Sequence, residues 1–191
     1  MTAPRIRYLI PALLLLPLGA CVTSVNPIYT DDTLLEEPAL VGTWAGSSGD
    51  VLKILPGEDG SYAAAMIDQD GRASAWIARI TRIGRLRWVD AEPEPIPAAW
   101  SDDYRGAFLP LHQIWILHRA DSLLLLGSLN ADSLEALLAR DPASGGSLKL
   151  GSEAGNLVLT GSTAELRELL AFVADRPGFI EEGDEPMRRV R

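Results

Sequence analysis

The chain has 191 residues, of which 47% are hydrophobic, and a formal net charge of −9 at pH 7. This length and apolar content fit one domain with a substantial core and exclude a globally disordered chain. Because the excess of acidic residues repels a phosphate backbone, nucleic acid is excluded as a general partner. The same surface has no electrostatic attraction to anionic lipid.

The first twenty residues have the layout of an export signal. Arg5 and Arg7 precede an apolar run from Tyr8 to Leu18, and the small residues Gly19 and Ala20 follow. Two prolines interrupt the run, which is much shorter than the ~20 apolar residues that a membrane-spanning helix requires. The pattern therefore predicts a cleaved signal peptide over residues 1–20, with a retained transmembrane helix as the weaker alternative.

The string L-G-A-C at residues 18–21 resembles the lipobox of bacterial lipoproteins. That resemblance implies acylation of the Cys21 thiol and cleavage before it. Cys21 is also the only cysteine, so it cannot form an internal disulfide. Two or three acyl chains, at ~0.8 kcal/mol per buried methylene, hold a protein stably on a bilayer. The open alternative is an ordinary signal peptide followed by a chance cysteine.

The residue after the cysteine bears on location. In Gram-negative lipoproteins an Asp at that position commonly retains the protein in the inner membrane, and here it is Val22. The resemblance therefore implies the inner leaflet of the outer membrane, with the domain facing the periplasm. Membrane lipid, reached through the acylated Cys21, is the expected partner.

The chain after Cys21 divides into three regions by composition. Residues 21–38 are rich in turn-forming and charged types and are predicted to be a tether, although Pro27-Ile28-Tyr29 is apolar enough to pack on a domain. Residues 39–180 are predicted to form a single α+β domain. Residues 181–191 are charged and are predicted to be a frayed tail.

Short apolar segments separated by Gly- and Asp-containing turns indicate an antiparallel β meander. The predicted strands are Leu40–Trp44, Val51–Leu55, Tyr62–Ile67, Ala73–Ile83, a strand that includes Leu86 and Trp88, Leu111–Arg119, Leu123–Leu129, Leu148–Leu150 and Leu157–Thr160. The Pro-rich stretch Glu92–Pro97 interrupts the pattern and predicts a long loop.

Two helices are predicted in the C-terminal half. Asp132 with Glu135 indicates the first helix start, with an apolar stripe at Leu134, Leu137 and Leu138. Ser162 with Glu165 indicates the second, whose stripe consists of Leu166, Leu169, Leu170 and Val173. The expected fold class is α+β, mainly an antiparallel β meander or a calycin-like half-barrel, with two helices in the C-terminal half.

Further strings carry a family resemblance. N-P-I-Y-T at residues 26–30, P-A-L-V-G-T-W at 38–44 and L-V-L-T-G-S-T-A-E-L-R at 157–167 resemble a family of bacterial lipoproteins for which no activity is known. The G-x-W string at 42–44 is also similar to the start of lipocalins and related calycin barrels. That similarity implies that Trp44 seals the closed end of a barrel.

Residues that could support catalysis or metal binding are sparse. His112 and His118 are the only histidines. They are six residues apart on one predicted strand, which puts them on the same face about 20 Å apart, too far to share a metal ion. They are expected to be partly exposed strand residues. No nucleophile motif or phosphate-binding glycine pattern occurs, so no catalytic residue, metal site or cofactor is predicted.

The five tryptophans are the best candidates for ligand contact. Trp44, Trp88 and Trp115 lie in predicted strands, where they either pack in the core or line a pocket for an apolar or sugar-like ligand. Trp100 lies in the Pro-rich loop and is expected to be the most exposed, which makes it the first choice for a contact residue.

The sequence therefore favours a membrane-anchored, periplasm-facing binding or scaffold module. Its partner would be an apolar ligand or an envelope protein. Two alternatives stay open. One is an envelope-directed hydrolase that uses His112 or His118 with a loop acid. The other is an accessory factor in outer-membrane assembly, for which the sheet edge or the Trp100 loop would contact the partner.

Overall fold

The computed structural model describes residues 22–95, 109–140, 147–150, 156–183 and 185–190. The predicted signal peptide, Cys21 and Trp100 lie outside the described residues. The strands are β1 (Val22–Ser24), β2 (Gly42–Ala45), β3 (Val51–Pro56), β4 (Tyr62–Ile67), β5 (Ala73–Ile83), β6 (Leu86–Pro93), β7 (His112–Ala120), β8 (Leu123–Leu129), β9 (Ser147–Leu150), β10 (Asn156–Leu159), β11 (Ile180–Glu182) and β12 (Met187–Arg189). The helices are α1 (Ala131–Arg140) and α2 (Thr163–Ala174).

Eight of these strands close into an antiparallel barrel. From β2 to β8, each strand pairs with its neighbour in sequence, which confirms the predicted meander. β12 then pairs with both β8 and β2, which joins the two ends of the meander. The expected half-barrel is therefore wrong, because the sheet closes completely and leaves no free edge between β2 and β8.

The closing strand comes from the segment that was predicted to be a frayed tail. Met187 pairs with Leu124 of β8, and Arg188 pairs with Ala45 of β2. The charge of this segment does not prevent strand formation, because Arg188 is exposed, Met187 packs inside, and the guanidinium of Arg189 lies over the ring of Trp44. β11, also in the predicted tail, pairs with the far end of β8.

The segment after Cys21 differs from the expected tether. β1 lies between β7 and β10 and is buried along its whole length. Ile28 is fully buried, its amide donates to Asp90 at 2.8 Å, and its carbonyl accepts from Arg167 at 2.7 Å. Burial of the apolar side chains of Val22 and Ile28 stabilises this packed arrangement more than the turn-forming residues around them favour a loop.

Two hydrophobic cores result from the two faces of the sheet. Side chains alternate along each strand, so Val89 and Ala91 of β6 face the barrel interior while Trp88 belongs to a core on the outside. The inner core lies within the barrel. The outer core is covered by α1 and α2, whose apolar stripes pack on β1, β6, β7 and β10.

The helices are close to their predicted positions. Ser162 caps α2 in a capping box with Glu165, as predicted, and all four residues of its predicted stripe are buried. In α1 the predicted cap is wrong. Asn130, not Asp132, accepts the hydrogen bond from the amide of Ser133, at 2.7 Å. Among the residues that the structure describes, no helix is long and apolar enough to cross a membrane.

Candidate functional site

The barrel interior contains a cavity of about 280 Å³. Its walls are formed by Leu40, Leu52, Ile54, Tyr62, Ala64, Met66, Trp76, Ala78, Ile80, Val89, Ala91, Trp115, Leu124, Leu126 and Met187. None of these residues carries a charge. The hydroxyl of Tyr62 accepts a hydrogen bond from the amide of Glu37 at 2.6 Å, so it is already engaged.

Small side chains on three neighbouring strands create this space. Ala64 of β4, Ala78 of β5 and Ala91 of β6 all face the interior. Ala78 lies opposite Ala91 on one side and opposite Tyr62 on the other. Protein interiors are normally packed as densely as organic crystals, with few voids larger than a water molecule. A cavity of this size is therefore larger than the voids that ordinary packing leaves.

One end of the barrel interior is buried, where Ile54 and Ile80 lie, and Trp44 packs in the same core. The indole of Trp44 is fully buried and donates to the carbonyl of Leu40 at 2.9 Å. The guanidinium of Arg189 lies 4.2 Å from the centre of the Trp44 ring and donates to the carbonyl of Val41 at 2.7 Å. It also donates to the carbonyl of Ala39. Trp44 is thus held between its own strand, the preceding turn and β12.

The cavity is more open toward the other end. Leu52 and Met66 lie next to the turns at residues 46–50 and 68–72, and both are only half-buried, as is the neighbouring Trp76. Ile54 and Ile80, which are farther from these turns, are buried. The gradient of exposure places the mouth of the cavity at the end of the barrel that carries these two turns.

The structure distributes the predicted ligand-contact tryptophans over different places. Trp115 lines the cavity, and Trp44 belongs to the same core but is not among the lining residues. Trp88 lies in the outer core, where its indole donates to the carbonyl of Ile83 at 3.2 Å. Trp76 also lines the cavity, although the sequence did not single it out.

The two histidines have unlike surroundings. His112 is 6% exposed, and its Nδ1 donates to Oδ1 of Asp90 at 2.6 Å. The expectation of a partly exposed residue is therefore wrong for His112. The ring of His118 packs against Gly127, and its Nε2 is buried without a hydrogen-bond partner in the described part of the chain.

His112 and Asp90 lie beside a serine, so the residue types of a hydrolase triad come together here. Ser24 of β1 is directly opposite His112 in the sheet. Its side chain is fully buried, and its hydroxyl donates to the carbonyl of Asn26 at 2.7 Å. Because a nucleophile must reach its substrate and hydrogen-bond to its base, this geometry favours a structural role. Ser24, Asp90 and His112 together hold β1 and Ile28 against β6 and β7.

The His112–Asp90 contact predicts a pH dependence of stability. Burial alone lowers the pKa of His112, but the hydrogen bond and negative charge of Asp90, with a smaller contribution from Glu92, outweigh burial and the repulsion of Arg79. The pKa is therefore raised above its ordinary value of about 6.5. A raised pKa stabilises the fold below pH ~6.5, and the stabilisation is lost as pH rises through the folded-state pKa.

We expect Asp90→Asn to remove this contribution. The variant keeps an acceptor for the amide of Ile28 but loses the charge that favours the imidazolium. Urea unfolding between pH 5.5 and 8.5 should show a decline in the free energy of unfolding for the natural protein and a flatter profile for the variant. His118→Gln is the matched control and should keep the decline. An identical profile for Asp90→Asn and the natural protein would show that the pair does not contribute.

Comparison with known proteins gives no match to a protein-family model, a curated protein or a solved structure.

Proposed function

We propose that this protein is a bacterial envelope lipoprotein with a calycin-like barrel that binds an apolar ligand in its interior. The observation that carries the proposal is the uncharged cavity of about 280 Å³, which is buried at the end where Ile54 and Ile80 lie and more open at the other. Small-molecule sites in proteins are concave and mostly apolar, with volumes of about 300–1,000 Å³. The cavity lies just below the lower limit of that range.

The chemistry of the walls favours binding over catalysis. Burial of a methylene group in an apolar site is worth about 0.8 kcal/mol. A chain of about nine methylene groups would fill the cavity if each occupies about the 30 Å³ of a water molecule in the liquid. The walls offer no acid, base or nucleophile to act on such a ligand. The alternative of a hydrolase finds less support, because Ser24 is fully buried.

The location of the protein in the cell envelope is part of the proposal. The signal-like residues 1–20 and the L-G-A-C string support export and acylation at Cys21. Because β1 begins at Val22, directly after the proposed anchor, the barrel would be held close to the bilayer without a spacer. A periplasmic face of the outer membrane would then be the source or the destination of the ligand.

Binding can be tested with a probe of matched size. A Cys21→Ser chain that starts at residue 21 cannot be acylated and retains both cores. We expect it to bind 1-monolauroylglycerol with one-to-one stoichiometry in calorimetry, with a change in tryptophan fluorescence from Trp76 and Trp115. Glycerol alone is the control and should give no heat. Absence of saturable binding of the lauroyl probe, in a chain with a folded circular-dichroism spectrum, would contradict the proposal.

A further inference from the structure

The polar surface around the cavity mouth carries an excess of negative charge. We name this surface the acidic rim. It consists of the acidic residues at the mouth end of the barrel and one base: Asp50, Asp68, Asp70, Glu94, Glu185 and Arg72. Several contacts join its parts. Asp50 accepts from the amide of Gln69 at 2.9 Å, and Ser47 donates to Glu185 at 2.8 Å.

The single base of the acidic rim is already neutralised. Arg72 lies 2.9 Å from Asp70 and 3.9 Å from Asp68. Asp50, Glu94 and Glu185 have no basic partner within the described ranges. Counted over the described residues, the mouth therefore presents net negative charge, while the walls behind it carry none.

The walls determine the orientation of an amphiphilic ligand. A polar group buried without a hydrogen bond costs several kcal/mol, and the interior offers it no charged partner. The polar side-chain atoms of the lining residues are the hydroxyl of Tyr62, which accepts from the amide of Glu37, and the indole nitrogens of Trp76 and Trp115, of which that of Trp76 donates to Ser74 at 3.1 Å. An amphiphile must therefore insert its apolar tail toward the buried end at Ile80 and leave its headgroup at the mouth.

The acidic rim is close enough to act on that headgroup. Asp68 follows Met66 by two residues, and Asp50 precedes Leu52 by two. At a rise of about 3.3 Å per residue, the backbone of each aspartate is about 7 Å from the backbone of that lining residue. This is less than the Debye length of about 8 Å at physiological ionic strength, so the charges are only partly screened.

We infer that the ligand is a single-chain amphiphile, inserted tail first, whose headgroup carries no negative charge. The inference rests on the proposed function and specifies the ligand class of the same cavity. The cavity volume admits one slender chain and excludes a two-chain lipid, and the acidic rim disfavours carboxylate and phosphate headgroups. A glycerol ester, an alcohol or an amine fits both requirements.

The test compares three probes that share one chain length. At pH 8 and low salt, 1-monolauroylglycerol is neutral, dodecylamine is cationic and dodecanoate is anionic. We expect the Cys21→Ser chain to bind the first two about tenfold more tightly than dodecanoate, as expected for several carboxylates acting through water at this range. The difference should shrink in 0.5 M NaCl.

Charge reversal identifies the origin of the selectivity. Glu94→Lys with Glu185→Lys should bring dodecanoate to within about threefold of the glycerol ester, because the net charge at the rim rises by four units. Asp32→Lys with Glu58→Lys makes the same change in net charge away from the rim and should leave the selectivity intact.

The outcomes separate the two proposals. If none of the three probes binds, the proposed function fails. If all bind and dodecanoate binds as tightly as the glycerol ester, the cavity function stands and the headgroup inference is overturned. Equal responses of the rim variant and the control variant would also overturn it, because the selectivity would then reflect overall charge.

Discussion

Filling the barrel interior is expected to abolish ligand binding while leaving the fold intact. Ala64→Leu adds three carbon atoms at the cavity wall, and Ala78→Leu adds three more in its centre. At about 30 Å³ for each added group, one substitution removes about a third of the cavity and the pair removes about two-thirds. We expect affinity for 1-monolauroylglycerol to fall about tenfold in the single variants and at least a hundredfold in the pair.

The matched control is Ala65→Leu, the neighbouring residue on β4. Its side chain is exposed on the outer face of the barrel, so the added carbons do not enter the cavity. Calorimetry should show unchanged affinity for this variant. Unfolding in urea should show that Ala78→Leu is as stable as the natural protein or more so, because filling a void restores packing contacts. Undiminished binding in the pair would place the ligand elsewhere.

Truncation of Trp44 is expected to give the largest loss of stability. The side chain is fully buried, hydrogen-bonded to Leu40 and covered by Arg189. Replacement of a buried Trp by Ala costs about 3–5 kcal/mol, because the removed ring leaves a void that the surroundings fill only in part. The midpoint of urea unfolding should fall accordingly, with an unchanged slope if the unfolded state is unaffected.

Trp76→Ala provides the comparison within the same core. Trp76 is half-buried and lines a cavity that already exists, so its removal loses less packing. We expect it to cost less than half as much stability as Trp44→Ala but to weaken binding of the lauroyl probe. Equal destabilisation by both substitutions would contradict the assignment of Trp44 to the packed core and Trp76 to the cavity wall.

Local patterns predicted the elements that depend on local physics. β4, β5 and β8 have the predicted bounds, because turns that contain Gly or Asp delimit their apolar segments. The cap of α2 follows from Ser162 and Glu165 alone. In contrast, the strand predicted at Leu40–Trp44 begins two residues later in the structure, at Gly42. The reason is that Pro38–Leu40 forms a 3-10 turn before it.

Features that depend on distant pairing could not be predicted in this way. β12 is recognisable only from its pairing with β2 and β8, since its own sequence is short and charged. The contact between His112 and Asp90 depends on the register of β6 and β7. Alternation showed that Trp88 and Val89 face opposite sides but not which side is the barrel interior.

The sequence contains a pattern that is compatible with the cavity, but the pattern is ambiguous. Ala64, Ala78 and Ala91 fall at interior positions of neighbouring strands, where larger residues would ordinarily fill the core. Alanines at interior positions of a strand are compatible with either a close contact to the facing strands or a void. The two are distinguished by the side chains across the barrel, which the closed sheet brings together.

The most direct test of the central claim is a crystal structure of the Cys21→Ser chain with 12-bromododecanol, which carries bromine at the tail end. An apolar ligand bound tail first predicts anomalous bromine density inside the barrel, on the Ile80 side of Ala64, with the hydroxyl at the mouth. Bromine density only on the outer surface, around an interior filled by side chains, would contradict it.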